Sequence, residues 1–413
     1  MADAPTDCPV SDVDPFSDGF LADPFPPLAH LRELGEVCYL RKYHVWGVAR
    51  HDQVRAVLAD HTTFSSGYGV GYTHLARERP WRTPSLILEA DPPLHTRTRG
   101  VLSRLLAPRA LREMKETFTR EATALAERLV ARGRFDAVKD LGEAYPLKVF
   151  PDAVGLPAEG RENLLVYGGM TFNGHGPRNH LFEAAMSGAD DVREWITGRC
   201  ARSALAPGGL GSRIYDAVDA GELTEEEAAL LVRSFLSAGV DTTVGALGFA
   251  VRRFAEHPDQ WDLLRADPSL ARSAFEEVVR IESPVIGFFR TAVADTEVGG
   301  ARIPRGAKML VFFSGAARDP RRWQDPDGFD IRRRAVGHTG FGSGIHGCVG
   351  QMVARLEGEA VLGALASRVA RWHLDGEPEV RLNNTLRGLA RLPVRVEPAT
   401  APAPSVPAPA MEV

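Results

Sequence analysis

One cysteine lies in a glycine-rich segment whose composition suits a reactive thiolate. The segment 341–350 has the sequence FGSGIHGCVG, and Cys348 directly precedes a stretch predicted to form a long amphipathic helix. A sulfur at a helix N-terminus feels the positive end of the dipole and nearby N–H groups, which both favour thiolate. Glycines permit a tight loop and close approach of a large flat group. Because a lone cysteine is more often an inert buried residue, the prediction depends on the whole segment.

A second candidate is a small, polar stripe on an otherwise apolar predicted helix. Helical geometry places these residues on one face: Ser234, Ala238, Asp241 with Thr242, and Gly245. Taken alone, the stripe is explained better by close helix–helix packing. The alternative is a groove over a flat cofactor, in which Thr242 bonds back to the carbonyl four residues earlier and opens the helix.

A carboxylate and a guanidinium on another predicted helix form a third candidate. Glu277 and Arg280 are three residues apart, so they share one helix face and can pair. Such a pair is most often an ordinary surface contact. On its own it predicts no chemistry.

Helices dominate the elements that would position these residues. The apolar spacing predicts helices over 108–133, from about Thr224 to Phe254, over 271–282, and from near Cys348 to about Trp372. A capping box of Thr224 and Glu227 is predicted to start the second of these. Short strands are predicted at Cys38–Leu40, His44–Val48, Met309–Phe313 and Val394–Val396. The expected fold class is mainly α with small β-sheets.

The domain organisation is predicted to be simple. Residues 1–15 are acidic and broken by prolines, which predicts a flexible N-terminus. Residues 16–397 contain neither a linker nor a repeat and are expected to form one large domain. Residues 398–413 are rich in proline and alanine, which predicts a disordered tail.

Composition excludes several classes of protein. The 413 residues are 44% hydrophobic and carry a formal net charge of −5, which argues against global disorder and against nucleic-acid binding. The four cysteines are scattered without a CxxC pair, so a disulfide framework or zinc site is not expected. No apolar run of eighteen residues and no signal-peptide pattern occurs. We expect a soluble, cytoplasmic monomer that binds no membrane.

The cysteine segment resembles the haem-binding signature of the cytochrome P450 family. The matching pattern is Phe-x-x-Gly-x-x-x-Cys-x-Gly, formed by Phe341, Gly344, Cys348 and Gly350, with His346 two residues before the cysteine. The resemblance covers about residues 16–396 and implies a haem-thiolate monooxygenase with Cys348 as the proximal ligand. A thiolate ligand donates electron density to iron and favours O–O cleavage.

The same resemblance gives roles to the other candidates. Glu277 and Arg280 would be a buried structural pair that supports the thiolate segment. Asp241 and Thr242 would be the catalytic acid–alcohol pair for oxygen activation. The remaining expected cofactor contacts are Ala238 and Gly239 over the haem, and His95, Arg99, Arg290 and His346 at its propionates.

Beyond the family, the chain is similar to a bacterial subgroup that oxidises para-substituted benzoates such as 4-methoxybenzoate. The resemblance implies that a substrate carboxylate is held by Arg82, Ser85, Arg233 and Ser234. Leu88, Phe172, Val285 and Phe288 would contact the rest of the substrate. Both arginines are as well explained by surface salt bridges, and that alternative stays open here.

The chain departs from the subgroup at two places. His175 occupies a position where a second phenylalanine is expected, and Ile286-Gly287 precedes Phe288 where a bulkier polar pair is typical. A polar imidazole beside an aromatic ligand changes the expected preference for the para-substituent. We therefore include His175 among the expected substrate contacts.

The last predictions concern the source of electrons and the alternative functions. The chain has no flavin or iron–sulfur domain, so the resemblance implies O2 and NADH-derived electrons from a ferredoxin and its reductase. Four arginines are candidates for a thiolate-side face that binds an acidic ferredoxin, and an ordinary solvated face explains them equally well: Arg318, Arg321, Arg322 and Arg355. Alternatives are oxidation of another aromatic or apolar small molecule, a peroxide-driven enzyme and a haem-thiolate sensor. The acid–alcohol pair argues against the last two.

Overall fold

Helices form most of the protein. The computed structural model describes residues 5–399, and its helices are α1 Asp18–Ala22, α2 Phe25–Leu34, α3 His51–Ala59, α4 Leu94–Leu105, α5 Pro108–Arg132, α6 Pro146–Val154, α7 Asn163–Asn173, α8 His180–Met186, α9 Ala189–Arg199, α10 Leu210–Ile214, α11 Asp216–Asp219, α12 Glu225–Ala238, α13 Asp241–Glu256, α14 Pro258–Ala266, α15 Ala271–Glu282, α16 Phe313–Ala317 and α17 Gln351–Ala366. A π-helical segment covers Ala137–Glu143. The mainly helical prediction is confirmed.

The strands are short and form small sheets. They are β1 Val10–Ser11, β2 Cys38–Leu40, β3 Val45–Val48, β4 Phe64–Ser65, β5 Arg134–Asp136, β6 Gly287–Ala292, β7 Thr296–Val298, β8 Ala301–Ile303, β9 Lys308–Phe312, β10 Val369–Leu374, β11 Glu379–Arg381, β12 Gly388–Arg391 and β13 Pro393–Pro398. The largest sheet has the order β1-β2-β3-β9-β6-β4, and a three-stranded sheet has the order β10-β13-β5. In the large sheet, β6 and β9 pair antiparallel, with Arg290 opposite Met309.

Two apolar layers build the core. The larger hydrophobic cluster joins α5, α12, α13, α15 and α17, and α17 packs against α5. A smaller cluster lies on the six-stranded sheet around Trp46, Phe64 and Val311. The stretch Glu225–Glu256 is long and apolar enough to be considered a membrane span, but 72% of its most apolar window is buried inside the protein. Its hydropathy is that of a core helix.

Several predicted boundaries agree with the structure. The helix over 108–133 is α5, and Gly133 ends it with φ +75°. Thr224 starts α12 with the predicted capping box, in which Glu227 bonds back to the cap. The helix over 271–282 is α15.

Two predicted helices required correction. The helix expected from Thr224 to Phe254 is broken at Gly239 and Val240, and this break separates α12 from α13. The helix expected from Cys348 to Trp372 begins only at Gln351 and ends at Ala366. Trp372 instead lies in β10, where strand pairing with β13 outweighs the continued apolar pattern.

The ends of the domain also differ from the prediction. Val10 and Ser11, which fall in the segment expected to be flexible, pair in parallel with β2 as strand β1. At the other end Pro398 still belongs to β13. The remainder of the predicted disordered tail, residues 400–413, lies outside the described residues, as do residues 1–4.

Candidate active site

A large internal cavity brings most of the predicted site residues together. It lies between the α12–α13 break and the segment 341–350, and encloses about 1730 Å³ including its opening to solvent. Its lining contains these predicted residues: Arg82, Ser85, Leu88, Arg99, Phe172, His175, Arg233, Ser234, Ala238, Gly239, Thr242, Val285, Phe288, Arg290, Phe341, His346, Cys348 and Gly350. His95, Asp241 and Gly344 are close to the cavity but do not line it.

Cys348 is the one of the four cysteines that lines the cavity. Its backbone N–H donates to the Phe341 carbonyl at 2.8 Å, which closes the loop. Burial raises the pKa of the Cys348 thiol, and the backbone N–H groups of Gly350 and Gln351 act in the opposite direction. Gly344 has φ +68°, and a Cβ there would lie 2.1 Å from the Leu58 carbonyl oxygen, so this position needs glycine. The loop therefore presents a sulfur to the cavity beside oriented N–H donors.

The break between α12 and α13 forms the opposite wall. Thr242 Oγ1 donates to the Ala238 carbonyl at 2.9 Å, which is the back-bond expected from the sequence. Gly239 packs so closely on Phe150 that an added Cβ would lie 2.3 Å from the ring. The small residues therefore serve both explanations: Gly239 allows close packing, and Ala238 and Thr242 line the cavity.

Asp241 turns away from the cavity, which corrects the predicted stripe. The residue is 5% exposed, and neither carboxylate oxygen has a hydrogen-bond partner in the described chain. The nearest cation is Arg381, whose Nη1 is 3.8 Å from Asp241 Oδ1. Burial raises the pKa of Asp241 to about 7, against the opposing effect of Arg381. The side chain can therefore hold or release a proton near neutral pH.

Gly245, the last residue of that stripe, is also outside the cavity lining. A Cβ at Gly245 would lie 2.9 Å from the Arg387 carbonyl oxygen. Here the packing explanation for a small residue is correct.

Cationic and donor groups gather at one edge of the cavity. The rings of His95 and His346 are 4.5 Å apart, and the Nε2 atoms of both lack a hydrogen-bond partner among the described residues. Within residues 5–399, Arg99 and Arg290 form no salt bridge. Burial lowers the pKa of Arg290 to about 10, and burial with Arg290 and His95 lowers that of His346 to about 3. The guanidinium groups of Arg99 and Arg290 at this edge are therefore available to an anionic group.

A second cationic region joins the segment before α4 to α12. Ser85 Oγ and Ser234 Oγ are 3.2 Å apart. Arg233 donates to the Thr83 carbonyl at 2.7 Å, and among the described residues it forms no salt bridge. Both arginines contact the cavity, so the alternative of surface arginines is wrong for this structure.

Glu89 is a partner of this region that the sequence did not predict. Arg82 Nη1 lies 3.1 Å from Glu89 Oε2, and the two side chains are 10% and 8% exposed. Burial acts to raise the Glu89 pKa, but Arg82 and His175 outweigh it and hold the pKa below its ordinary value. Arg82 and Arg233 therefore face one carboxylate, which leaves one positive charge without an anionic partner.

Aromatic rings form the wall beside this region. His175 is buried, and its ring centroid is 5.4 Å from that of Phe288 and 6.2 Å from that of Phe172, both edge-on. Burial lowers the pKa of His175 to about 4, so the imidazole is neutral at physiological pH. Its Nε2 has no hydrogen-bond partner among the described residues.

The Glu277–Arg280 pair is completely buried. Arg280 Nε donates to Glu277 Oε2 at 2.7 Å and Nη2 donates to Oε1 at 2.8 Å. Arg333 adds a third bond to Glu277, and Arg280 also holds the Ala317 and Pro326 carbonyls. The explanation as an ordinary surface pair is wrong, because the pair joins α15 to the chain that leads towards the cysteine segment.

One of the four arginines expected on the protein surface is buried. Arg318 is 8% exposed and donates to the Ile281 carbonyl. Arg355 is partly buried, pairs with Glu276 and lies over the Phe341 ring, 4.6 Å from its centroid. Burial removes Arg318 from a docking face, whereas Arg321 and Arg322 stay exposed.

One further buried acid lines the cavity. Glu357 on α17 is 1% exposed, and burial raises its pKa to about 8. α17 also contains Glu359, so only the position of Glu357 on the apolar face, four residues from Val353 and from Val361, was a signal for it. Phe150 and Phe235 also line the cavity, but their positions among many core aromatics gave no such signal.

Comparisons with known proteins agree with this geometry. The family model described as cytochrome P450 matches residues 210–396. The chain is 55% identical over 388 residues to "Cytochrome p450 CYP199A2" of Rhodopseudomonas palustris, covering 94% of each chain. It is 33% identical to "Cytochrome P450 monooxygenase PikC" of Streptomyces venezuelae, again covering 94% of each. The solved structure "cytochrome P450 CREJ in complex with (4-ethylphenyl) dihydrogen phosphate" superposes with a TM-score of 0.84 at 26% identity, covering 93% of this chain and 99% of that one.

The chain belongs to the cytochrome P450 family, and its cofactor is haem with a cysteine thiolate ligand. It is a monooxygenase that uses O2 and electrons from redox partners. The residues present fit this cofactor. A thiol faces the cavity from one wall and small residues line the other. Arg99 and Arg290, which form no salt bridge within residues 5–399, lie at one edge with the two histidines.

Proposed function

We propose that this monooxygenase oxidises para-substituted benzoates and removes the methyl group of 4-methoxybenzoate, with Cys348 as the thiolate ligand. One observation carries the substrate class. Arg82 and Arg233 bring two positive charges and Glu89 one negative charge, so one positive charge is uncompensated. It lies beside the facing hydroxyls of Ser85 and Ser234. One carboxylate would neutralise this charge. Charge-assisted hydrogen bonds would offset the loss of its hydration.

The shape of the cavity supports the same substrate. Ser234 on α12 and Thr242 at the start of α13 line the cavity on the two sides of the helix break. An acid anchored at Ser234 would extend towards Thr242 between the rings of Phe172 and Phe288. A rigid planar acid held at one end presents its far end to the oxidant, so para-selectivity follows from geometry.

The cavity of the structural relative offers a parallel. The ligand in the complex of that protein, (4-ethylphenyl) dihydrogen phosphate, is also an aromatic ring with an anionic group at one end and an alkyl group at the other. The likeness supports a similar arrangement here, with a carboxylate in place of the phosphate.

The roles of the remaining residues follow from their positions. When bound, the haem supplies the iron at which O2 is reduced and one oxygen atom is transferred to the substrate. His95, Arg99, Arg290 and His346 hold its propionates. Thr242 directs a hydroxyl into the cavity, and Asp241 supplies protons from its buried position. In total, O2, two electrons and two protons convert 4-methoxybenzoate to 4-hydroxybenzoate, formaldehyde and water.

We further propose that a ferredoxin with an NADH-dependent reductase supplies the electrons. Val336, just before the cysteine segment, is 72% exposed, and Arg322 donates to its carbonyl. Arg55 bonds the neighbouring Gly337 carbonyl and is also exposed. An apolar residue between two cations suits an acidic partner. We also propose that the protein is cytoplasmic and that it has a single haem domain, which includes β1 and β13.

Arg233→Leu tests the carboxylate anchor. We expect the dissociation constant for 4-methoxybenzoate, measured from the haem spin-state change, to rise about ten- to hundredfold, because one charge-assisted bond is lost. Arg233 is preferred to Arg82 for this test, since removing Arg82 would also leave Glu89 buried without its cation. Arg112→Leu, at an exposed position on α5, is the matched control. Equal affinity in wild type and Arg233→Leu would exclude this anchor.

His175→Phe tests the wall beside the ring. The neutral imidazole can bond a polar substituent, whereas phenylalanine cannot. We expect the ratio of affinities for 4-(hydroxymethyl)benzoate over 4-methylbenzoate to fall roughly two- to tenfold in the variant, which corresponds to one hydrogen bond. Competitive titration of both acids gives the ratio directly. An unchanged ratio would mean that His175 does not contact the substituent.

A further inference from the structure

Lys308, at the start of β9, gathers three backbone carbonyls of another segment. Its Nζ donates to the carbonyl of Gly69 at 3.1 Å and of Thr73 at 2.8 Å, and also to that of Gly71. In the described chain, no backbone N–H donates to these three oxygens. An ammonium has three N–H donors, so donors and acceptors match in number. The side chain forms no salt bridge among residues 5–399, and its residue is 7% exposed.

The segment 69–73 is fixed in turn to two walls of the active site. Tyr72 N–H donates to the His175 carbonyl at 2.7 Å, and Phe289 N–H donates to the Val70 carbonyl at 2.8 Å. Gly71 lies against the backbone of His175, where an added Cβ would be 2.7 Å from Cα. Phe289 separates Phe288 from Arg290 in β6. The segment therefore touches the backbone of His175, which lines the cavity, and of Phe289, whose two neighbours in β6 line it.

We infer that Lys308 is a positioning residue for the substrate pocket: by holding the carbonyls of 69–73, its ammonium keeps His175 and β6 at their places on the cavity wall. The inference rests on the proposed function only in using a benzoate as the ligand. Lys308 itself does not line the cavity. Its effect passes through the segment 69–73 and would not require contact with substrate or haem.

A neutral amine would keep only two N–H donors for three carbonyls. The titratable groups that face Lys308 in the described chain are Glu78, Glu89, His74 and His175. Burial lowers the Lys308 pKa to about 7, although both glutamates act to raise it. Burial and Lys308 both lower the pKa values of the two histidines. Release of the segment to water would return the Lys308 pKa towards its ordinary value of 10.5, so rising pH favours the closed segment, and the variants are compared at one pH below 7.

Hydrogen exchange in substrate-free holoenzyme tests the anchoring without a ligand. At about pH 6, we expect the protection factors of the Tyr72 and Phe289 amides to be about five- to tenfold lower in Lys308→Met than in the wild type, corresponding to about one hydrogen bond. Lys308→Gln, which keeps an uncharged donor, should be intermediate. Lys148→Met, on the surface of α6, is the matched control.

Substrate titration provides a second measurement. The dissociation constant of 4-methoxybenzoate should be higher in Lys308→Met than in the wild type, and that of Lys308→Gln should lie between them. Equal protection of the segment in wild type and Lys308→Met would overturn the positioning role. If 4-methoxybenzoate fails to bind any of these proteins, the benzoate proposal fails, and hydrogen exchange still decides the role of Lys308.

Discussion

Cys348→Ser is expected to abolish both the thiolate spectrum and product formation. Cys348 is the one cysteine on the cavity wall, and a serine hydroxyl cannot replace the electron donation of a thiolate that favours O–O cleavage. The reduced wild-type protein with carbon monoxide should absorb at the red-shifted position diagnostic of thiolate ligation. The variant, even when it retains haem, should not.

Cys200→Ser is the matched control for this prediction. Cys200 is buried at the end of α9 and contributes nothing to the cavity lining, so its removal should leave the spectrum unchanged. Retention of the red-shifted absorption in haem-loaded Cys348→Ser, or its loss in Cys200→Ser, would contradict the assignment of the ligand.

Asp241→Asn should show the second-largest effect. The buried carboxyl has a pKa of about 7 and can deliver a proton, which an amide cannot. Loss of one well-placed proton donor commonly reduces a rate by about 10²–10⁴-fold, and we expect turnover of 4-methoxybenzoate to fall within this range. The substrate-induced spin change should stay unchanged, because Asp241 does not line the cavity.

The melting temperature separates proton delivery by Asp241 from a loss of folding. Because the Asp241 pKa is raised in the folded state, the stabilising contribution of the protonated carboxyl is complete below the unfolded value of 3.8 and is lost as pH rises through about 7. Asp241→Asn, in which the side chain is always neutral, should therefore not lower the Tm at pH 8. Turnover of Asp241→Asn at the wild-type rate would refute the role of Asp241 in proton delivery.

Thr242→Ala should bind substrate but divert electrons to peroxide.

Much of the architecture could be predicted because it depends on local sequence. The capping box at Thr224 and the glycine after Arg132 set helix ends through bonds within a few residues. The break at Gly239 could not be placed in the same way. Gly239 packs on Phe150 of α6, which is far away in the sequence, and such contacts leave no periodic signal.

In the candidate site too, local motifs could be recognised in the sequence, whereas contacts made by tertiary packing could not. Family motifs indicated Cys348 and Thr242, both of which line the cavity. They did not indicate that Asp241 turns towards Arg381 or that Arg82 pairs with Glu89, because these contacts depend on tertiary packing. Lys308 is one of five lysines in the chain, but nothing near it in the sequence marks three carbonyls more than 200 residues away.

The most direct test of the substrate proposal compares 4-methoxybenzoate with the uncharged 4-methoxybenzamide in the wild-type holoenzyme. Titration followed by the haem spin state measures both affinities in the same cavity. The acid should convert the haem to high spin, and the amide should bind about ten- to hundredfold more weakly, because it leaves the one positive charge that Glu89 does not neutralise without an anion. Spin conversion by the amide at the same concentrations as the acid would contradict the carboxylate anchor.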